Sequence, residues 1–365
     1  MAYLKGAPTR VAKVSRSVID ARKTRILGRV EILTKREVTV VGAGIFGLWQ
    51  AYTLARAGYA VRLLEESREP FARASSQWAG AMIAPECEAE GAPAIVRDLG
   101  REGLRIWREQ YPHAINNGTL VVAHGRDAGD LTRFANMTER HLAVGAAHIE
   151  ELEPALAGRF ERGLYFESES HVDARKALGW LLEQVRESGA EIHLGTKWQG
   201  GSHDIVIDCR GMGAQSDLKS LRGVRGERVL IQTGDISLAR PVRLLHPRQP
   251  IYVVPQGDGR FVVGASVIER EDDGPMTLKS ALDLLGSAYA LHPAFGEASV
   301  LETSAGVRPS FPDNVPRILV EQAGGTVLRV NGAYRHGFLL APVLARIVEQ
   351  YLSDGRREGA LFSSP

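Results

Sequence analysis

Three glycines and one glutamate near the start of the chain have types and a spacing that point to chemistry. Gly42, Gly44 and Gly47 form the pattern GxGxxG directly after the apolar run at 38–41. The first glycine permits a tight turn, the second lets the backbone approach a pyrophosphate, and the third lets a helix pack closely on a strand. Glu65 follows about 20 residues later, where a carboxylate can bind ribose hydroxyls. These residues predict a dinucleotide-binding site.

The elements that must position these residues are predicted by the same segment. The apolar run at 38–41 predicts a strand, the residues after the glycine turn predict a helix that ends at Gly58, and the apolar residues 60–64 predict a second strand that ends in Glu65. The N-terminus of the helix offers unpaired N–H groups and a positive dipole end to phosphates. Because strand, turn, helix and acid occur together, this motif is more specific than an isolated glycine-rich turn.

Composition limits the class of protein. The chain has 365 residues, enough for two domains, and is 44% hydrophobic and 24% charged, as is typical of a globular protein. It has no run of about 18 uncharged apolar residues, so no membrane span is expected. Cys87 and Cys209 have neither the spacing of a metal site nor that of a disulfide framework, and we expect both to fill the core or a loop. We therefore expect a cytoplasmic protein with no metal.

The charge is unevenly distributed. Residues 1–37 contain ten Lys or Arg and three Asp or Glu, so this basic N-terminal extension carries +7 of a chain whose net charge is +2. Such a segment could be a transit peptide, an RNA- or membrane-binding arm, or the product of an upstream translation start, but a poorly ordered extension is the simplest interpretation. The acidic remainder argues against nucleic acid as the main partner.

The order of predicted elements indicates two domains that exchange segments along the chain. We predict helices at 94–110, 130–141, 174–188, 279–290 and 338–352, and strands at 118–123, 164–166, 191–194, 204–209, 228–233, 251–254, 260–265 and 327–330. Parallel-type units therefore occur at both ends and in the middle, with antiparallel strands between them. The predicted fold class is α/β, in a two-domain α+β arrangement that combines a discontinuous Rossmann-like domain with an antiparallel-sheet domain.

The domain boundaries follow from this order. A discontinuous Rossmann-like domain is predicted from 38–85, 172–216 and 302–352, and an antiparallel-sheet domain from 86–171 and 217–301. The basic extension 1–37 precedes them, and residues 353–365 are predicted to be a tail.

Three segments together resemble the D-amino-acid oxidase superfamily of FAD-dependent amine oxidoreductases. They are the N-terminal fingerprint, IVIDCRGMGA at 205–214 and VNGAYRHGFLLAP at 330–342. Within the superfamily, the loop SSQWAGAMIAP at 75–85, the segment at 251–266 and GVRPSFPD at 306–313 look most like glycine oxidases of thiamine biosynthesis. The resemblance covers residues 38–352 and is more specific for the superfamily than for the substrate.

The resemblance implies that the dinucleotide is tightly bound, non-covalent FAD. The second glycine turn would close over the adenosine half of the ligand, and the helix that starts near Gly337 would lie at the pyrimidine edge of the flavin and stabilise negative charge there. The implied FAD-binding residues are Gly42, Gly44, Ile45, Phe46, Gly47, Glu65, Ser75, Ser76, Gly80, Ala81, Met82, Gly211, Gly213, Gly337, Phe338 and Leu339. Glu65 would then bind the ribose of FAD.

The resemblance also implies three catalytic-site residues. Arg308 matches the arginine that binds the substrate carboxylate, a role suited to a planar guanidinium that forms two parallel hydrogen bonds. Tyr252 matches a tyrosine whose hydroxyl contacts the same carboxylate, and Arg335 matches an arginine near the flavin or substrate. The alternatives are a surface ion pair for Arg308 and a core aromatic for Tyr252. His336 stands where glycine oxidases commonly have Asn, and we assign it no role.

The implied activity is the oxidative deamination of a small amino acid. Glycine is the first choice, with hydride transfer to flavin giving an imine, then glyoxylate and ammonia, and with molecular oxygen giving hydrogen peroxide. In thiamine biosynthesis the imine would feed the thiazole ring. The alternatives are a D-amino-acid or sarcosine oxidase or dehydrogenase, with a quinone as acceptor, and an RNA-associated FAD protein. The sequence leaves the acceptor and the oligomeric state open, including a homo-oligomer.

Overall fold

The computed structural model describes residues 36–201, 205–247, 249–322, 324–357 and 359–363. The predictions for the basic extension 1–37 therefore lie, apart from Arg36 and Glu37, outside the described residues. The helices are α1 (Ile45–Arg56), α2 (Pro85–Glu88), α3 (Ala94–Gln110), α4 (Ala128–Met137), α5 (Ala146–Leu152), α6 (Ala174–Glu187), α7 (Leu278–Leu291) and α8 (Gly337–Asp354). Short 3-10 helices include Ser75–Trp78 and Gly211–Ala214.

The strands form two large sheets and one small one. They are β1 (Glu37–Val41), β2 (Ala60–Glu65), β3 (Met82–Ile83), β4 (Thr119–Ala123), β5 (Leu142–Gly145), β6 (Arg162–Phe166), β7 (Ser170–His171), β8 (Glu191–Leu194), β9 (Ile205–Asp208), β10 (Arg222–Gln232), β11 (Val242–Leu245), β12 (Ile251–Pro255), β13 (Arg260–Gly264), β14 (Ser299–Ser310), β15 (Arg317–Gln322), β16 (Thr326–Asn331) and β17 (Phe362–Ser363). Strands β3 and β7 form the small two-stranded sheet.

The first large sheet is the predicted Rossmann-like unit. Its order is β17-β15-β16-β9-β1-β2-β8, and β1 pairs in parallel with both β2 and β9. Helices α1, α3, α6 and α8 share one apolar core with it, in which Val40, Leu48 and Leu344 are fully buried. The carboxyl ends of β1, β2 and β9 therefore meet at one edge, where open α/β sheets bind ligands.

Helices α3 and α8, which share the core of this sheet, pack closely against each other. A Cβ atom on Gly103 would lie 2.0 Å from the carbonyl oxygen of Leu339. Pro342 lies inside α8 and has no N–H for the carbonyl of Phe338. The indole N–H of Trp107 donates to that carbonyl instead, at 2.7 Å. The start of α8 is thus fixed by α3.

The second large sheet is the predicted antiparallel one, with an added parallel pair. Its order is β14-β10-β13-β12-β11-β4-β6-β5. Among its described strands, β11 and β4 form the one parallel pair. Val229, Val253 and Val263 on one face pack in a core with Leu284 of α7. The residues that alternate with them point to the opposite face, which carries the candidate substrate residues.

Several elements differ from the sequence prediction. Helix α4 ends at Met137, short of the predicted 141, because Thr138 is extended and β5 follows soon after. Residues 302–310, predicted to belong to the Rossmann-like domain, are part of β14 in the second sheet. The predicted tail 353–365 contains β17, which pairs with β15. No helix among the described residues is long and apolar enough to cross a membrane.

Candidate active site

The glycine turn lies where β1, β2 and β9 end, and packing explains two of its glycines. Gly42 has φ +94°, and a Cβ there would lie 2.8 Å from the carbonyl oxygen of Cys209. A Cβ on Gly47 would lie 1.7 Å from the carbonyl oxygen of Gly42. At Gly44 the nearest atoms, including Ser76 Oγ, are 3.7 Å away. A Cβ at Gly44 would therefore make ordinary van der Waals contacts, so packing within the chain does not explain this glycine, and the close approach of a cofactor phosphate does.

Glu65, the last residue of β2, accepts a hydrogen bond from the backbone of the glycine turn. Its Oε2 accepts from the N–H of Ala43 at 2.8 Å, and its Oε1 accepts from the N–H of Ser67 at 2.9 Å. A carboxylate oxygen has two lone pairs, so each oxygen can also accept from a ribose hydroxyl. The geometry fits the predicted ribose contact.

Two helix N-termini meet beside this turn. A Cβ on Gly337, the first residue of α8, would lie 3.4 Å from Cγ2 of Ile45, the first residue of α1. Neither first turn contains an acidic residue. Ile45, Phe46, Phe338 and Leu339 bury their side chains, so Phe46, Phe338 and Leu339 can offer a ligand their backbone N–H groups, whereas the N–H of Ile45 donates to Ser76. Two positive dipole ends at one place suit an anionic cofactor.

The segment at 75–82 lies between the glycine turn and the second sheet. Ser76 Oγ accepts from the N–H of Ile45 at 3.3 Å, and Ser75 packs against Gly306 of β14, where a Cβ would lie 3.5 Å from Ser75 Cβ. Ala81 is buried with φ +51°, and Met82 begins β3. This segment can therefore contact a ligand held on the first sheet and a substrate held on the second.

The second glycine turn completes the same edge of the first sheet. Gly211 has φ +57°, and its carbonyl oxygen accepts from Nδ2 of the buried Asn331 at 2.9 Å. Gly213 needs no positive φ, and a Cβ there would lie 3.4 Å from Cβ of Arg210. Gly211 is thus required by the backbone conformation, whereas Gly213 is not.

Tyr252 of β12 projects from the second sheet between two glycines. Its cross-strand partner is Gly264 of β13. A Cβ on Gly264 would lie 2.5 Å from the tyrosine Oη, and a Cβ on Gly80 would lie 2.6 Å from the ring. Both glycines make room for the ring and fix the position of its hydroxyl.

Arg308 of β14 lies over another glycine on the same face. A Cβ on Gly226 of β10 would lie 2.0 Å from Nη2 of Arg308. Its Nη1 donates to the carbonyl oxygen of Ser266 at 3.2 Å, and no described carboxylate forms an ion pair with it. Removal of this guanidinium from water lowers its pKa. A positive charge held without a counter-ion suits a substrate carboxylate.

Arg335 is already paired with a carboxylate that sequence reasoning missed. Arg335 Nε and His336 Nδ1 each lie 3.2 Å from Oε2 of Glu88, and Arg243 Nη1 lies 3.8 Å from its Oε1. Burial by itself would raise the pKa of Glu88, but Arg335 and His336 hold it well below its usual range. Glu88 is therefore ionised and orients Arg335.

Arg243 is a second missed residue, and it places the Glu88 cluster beside Tyr252. Arg243 of β11 is the cross-strand partner of Tyr252, and its Nη1 donates to the carbonyl oxygen of Cys87 at 3.3 Å. The charges of Arg335 and Glu88 both act on the guanidinium of Arg308. Arg308, Tyr252, Arg335, Glu88 and Arg243 therefore form one site. Strand β11 has four residues, all buried, and has no alternating pattern that could have predicted Arg243.

The comparison with protein families agrees with this arrangement. The family model described as FAD dependent oxidoreductase matches residues 37–351. The chain belongs to this family. The predicted resemblance and the predicted FAD cofactor are confirmed for this FAD-dependent oxidoreductase, and the cradle formed by the glycine turn and the two helix N-termini fits that cofactor.

Several curated relatives and solved structures are similar to this FAD-dependent oxidoreductase. The thiamine biosynthesis oxidoreductase ThiO of Rhizobium etli is 48% identical over 317 residues, which is 86% of this chain and 96% of the relative. A glycine oxidase of Pseudomonas aeruginosa is 25% identical and covers 90% of this chain and 97% of its own. The crystal structure of glycine oxidase from Bacillus cereus has a TM-score of 0.77 at 20% identity, with 90% of this chain and 97% of that one covered. This structural likeness shows the shared fold.

Proposed function

We propose that this protein oxidises glycine, with FAD as its bound cofactor, and that the product serves the synthesis of the thiamine thiazole ring. The observation that carries the proposal is Arg308, a guanidinium with no described ionic partner on the same sheet face as the hydroxyl of Tyr252. The sequence identity to ThiO and to glycine oxidases supports the choice of substrate.

Arg308 and Tyr252 would bind and orient the substrate carboxylate. The guanidinium donates two parallel N–H groups to the two carboxylate oxygens, and the hydroxyl of Tyr252 donates to one of them. Fixing the carboxylate fixes the direction of the neighbouring Cα–H bond, which lowers the entropic part of the barrier. FAD, when bound, supplies the hydride acceptor.

The charges around the site would favour the neutral amine that the reaction needs. The substrate carboxylate would neutralise Arg308, and Glu88 neutralises Arg335. Arg243 lies 3.8 Å from the same glutamate, so one carboxylate interacts with two guanidinium groups. The remaining positive potential disfavours an ammonium group and lowers its pKa. No side chain has to act as a general base in this arrangement.

The reaction is balanced by oxygen and water. Glycine loses two electrons and two protons to give the imine of glyoxylate, and oxygen takes up both electrons and both protons to give hydrogen peroxide. Water then converts any imine that is not used into glyoxylate and ammonia. We also propose that oxygen is the physiological acceptor and that the protein acts in the cytoplasm.

An anaerobic substrate panel tests the proposal. The visible spectrum of the purified protein is recorded first, to establish bound flavin, and then glycine, sarcosine, D-alanine and D-proline are added separately without oxygen. Fastest bleaching by glycine is expected. Bleaching by D-alanine or D-proline but not by glycine would contradict it and favour a D-amino-acid oxidoreductase. After air is admitted, equal yields of peroxide and glyoxylate are expected, and a low peroxide yield would contradict oxygen as the acceptor.

A further inference from the structure

A second concave site lies on the sheet face that carries Tyr252 and Arg308, but further along the strands. It is a cavity of about 190 Å³ between β10, β13 and the first turn of α6. Four cationic side chains line it, namely Arg175, Lys176, Arg228 and Arg260, and the one acidic lining residue is Asp173. Arg308 and the glycine turn at 42–47 do not line it. Arg228 and Tyr252 share the cross-strand partner Gly264, so the cavity adjoins the proposed substrate site.

Arg228 is the central group of this cavity. The residue is only 4% exposed. Its Nη2 donates to Oε1 of Glu302 at 2.7 Å, but its Nε and Nη1 are buried and have no hydrogen-bond partner among the described residues. A buried donor without an acceptor is costly, and more so when it is charged. Two such donors on one guanidinium are suited to an acceptor supplied from outside the described residues.

Trp78 and Glu302 hold the arginines in place. The guanidinium carbon of Arg175 lies 4.6 Å from the ring centroid of Trp78, and that of Arg228 lies 5.3 Å from it. Arg175 Nη2 also donates to Oε2 of Glu302 at 2.9 Å. One carboxylate therefore serves two guanidinium groups, so the pair keeps an excess of positive charge.

The other acids near the cavity are already engaged. Asp173 caps α6, since its Oδ1 accepts from the N–H groups of Arg175 and Lys176, both at 3.1 Å. Asp258, which pairs with Arg260 at 3.2 Å, is 82% exposed and is screened by water. Even with Asp258 included, the four cations exceed the three acids.

We propose that this cavity binds the phosphate group of a small phosphate monoester, with Arg228 as its principal donor. A phosphate carries more charge than a carboxylate and has three acceptor oxygens, which suits two free donors of one guanidinium together with Lys176 and Arg175. The site is independent of the proposed glycine oxidation.

Inorganic phosphate is the probe that tests this site. The FAD-loaded enzyme is titrated with phosphate in a calorimeter at constant ionic strength, and one saturable site per chain is expected. Arg228→Gln and Lys176→Gln should each weaken phosphate binding at least about tenfold. Arg186→Gln is the matched control, because Arg186 lies in the last turn of the same helix and does not line the cavity.

Four results would overturn the proposal. They are the absence of saturable binding, unchanged binding by both Arg228→Gln and Lys176→Gln, tighter binding of malonate than of phosphate, and phosphate binding that occurs only in protein freed of FAD. The last result would assign the phosphate to the cofactor site. If Arg228→Gln does not fold, the more exposed Lys176→Gln and Arg260→Gln decide the question, since loss of binding in both supports the site and retention in both refutes it.

Discussion

The guanidinium of Arg308 lies over Gly226, a diagonal neighbour on β10 that has no side chain. A methyl group at Gly226 would overlap the guanidinium, and glycines at 80 and 264 give the same freedom to the ring of Tyr252. The resemblance implied roles for Arg308 and Tyr252 and placed Gly80 among the FAD-binding residues, but it did not predict the packing of Gly80, Gly226 and Gly264 against these two side chains. A cross-strand neighbour depends on register, which one strand's sequence does not contain.

Arg308→Met should raise the KM for glycine while the protein keeps its flavin. Loss of one partner of a buried charge pair costs about 2–5 kcal/mol, which is roughly 30-fold to several-thousand-fold in KM. Steady-state kinetics and the visible spectrum measure the two effects. Arg317→Ala, which removes the partner of the half-exposed Asp313, is the control and should leave KM unchanged. Loss of flavin from Arg308→Met would show that the residue is misplaced.

Gly264→Ala should impair substrate binding through Tyr252. The added Cβ would lie 2.5 Å from the tyrosine Oη, so the ring must move and its hydroxyl leaves the carboxylate site. An overpacked position of this kind costs about 1–3 kcal/mol. We expect a KM at least as high as that of Tyr252→Phe. A variant with the wild-type KM would mean that the position of the hydroxyl does not matter.

At the scale of elements, helices with a regular apolar face were predictable, and so were several short strands, but β11 was not. The predicted helix at 94–110 matches α3, because its apolar face has helical spacing. Strand β11 has four residues, all buried, and includes Arg243, so it has neither the length nor the alternation of a half-buried strand. The consequence was that Arg243 and the Glu88 cluster were missed.

Gly103→Ala should destabilise the protein by separating α3 from α8. The new Cβ would lie 2.0 Å from the Leu339 carbonyl oxygen, which belongs to backbone and cannot rotate away, so a loss of about 1–3 kcal/mol is expected. Gly179→Ala in α6 is the matched control, because nothing lies within 4 Å of its added Cβ, and it should stabilise by up to about 1 kcal/mol. Thermal unfolding measures both, and equal midpoints would contradict this account of the packing.

At the scale of the whole molecule, the two large sheets suggest where the domains meet. We propose that the boundary predicted at 302 lies after β14 instead, because all of β14 pairs with β10. The α/β fold and the antiparallel sheet were predictable, since glycine turns and apolar runs are local signals. The ion pair of Arg335 with Glu88 was not, because it joins two segments far apart in the chain.

The contribution of Glu169 to the stability of the folded state should decrease as the pH rises from about 5 to about 8. Burial raises the pKa of Glu169 from 4.5 to about 7, while its Oε1 accepts from the N–H of Cys87 at 2.7 Å. Between pH 4.5 and about pH 7, the carboxyl group of Glu169 is protonated in the folded state and ionised in the unfolded state. The stability contributed by protonated Glu169 is therefore complete below about pH 4.5 and is lost as the pH rises through about 7.

Glu169→Gln isolates this effect, because a glutamine stays neutral. The thermal midpoint of the variant, relative to that of the wild type, should rise between about pH 5 and about pH 8. Glu167→Gln changes an exposed residue nearby and serves as the control, with no such trend expected. If the difference in thermal midpoint between Glu169→Gln and the wild type does not change with pH, the buried carboxyl group does not titrate in this range.

The contact between Ile45 and Gly337 also has a consequence for the order of events during biosynthesis. The first helix end of the cradle emerges from the ribosome early, whereas the second exists only when nearly all of the described chain has been made. Stable capture of flavin therefore belongs to the last stage of synthesis. A nascent chain stalled before Gly337 should expose a half-built cradle that cannot retain the cofactor.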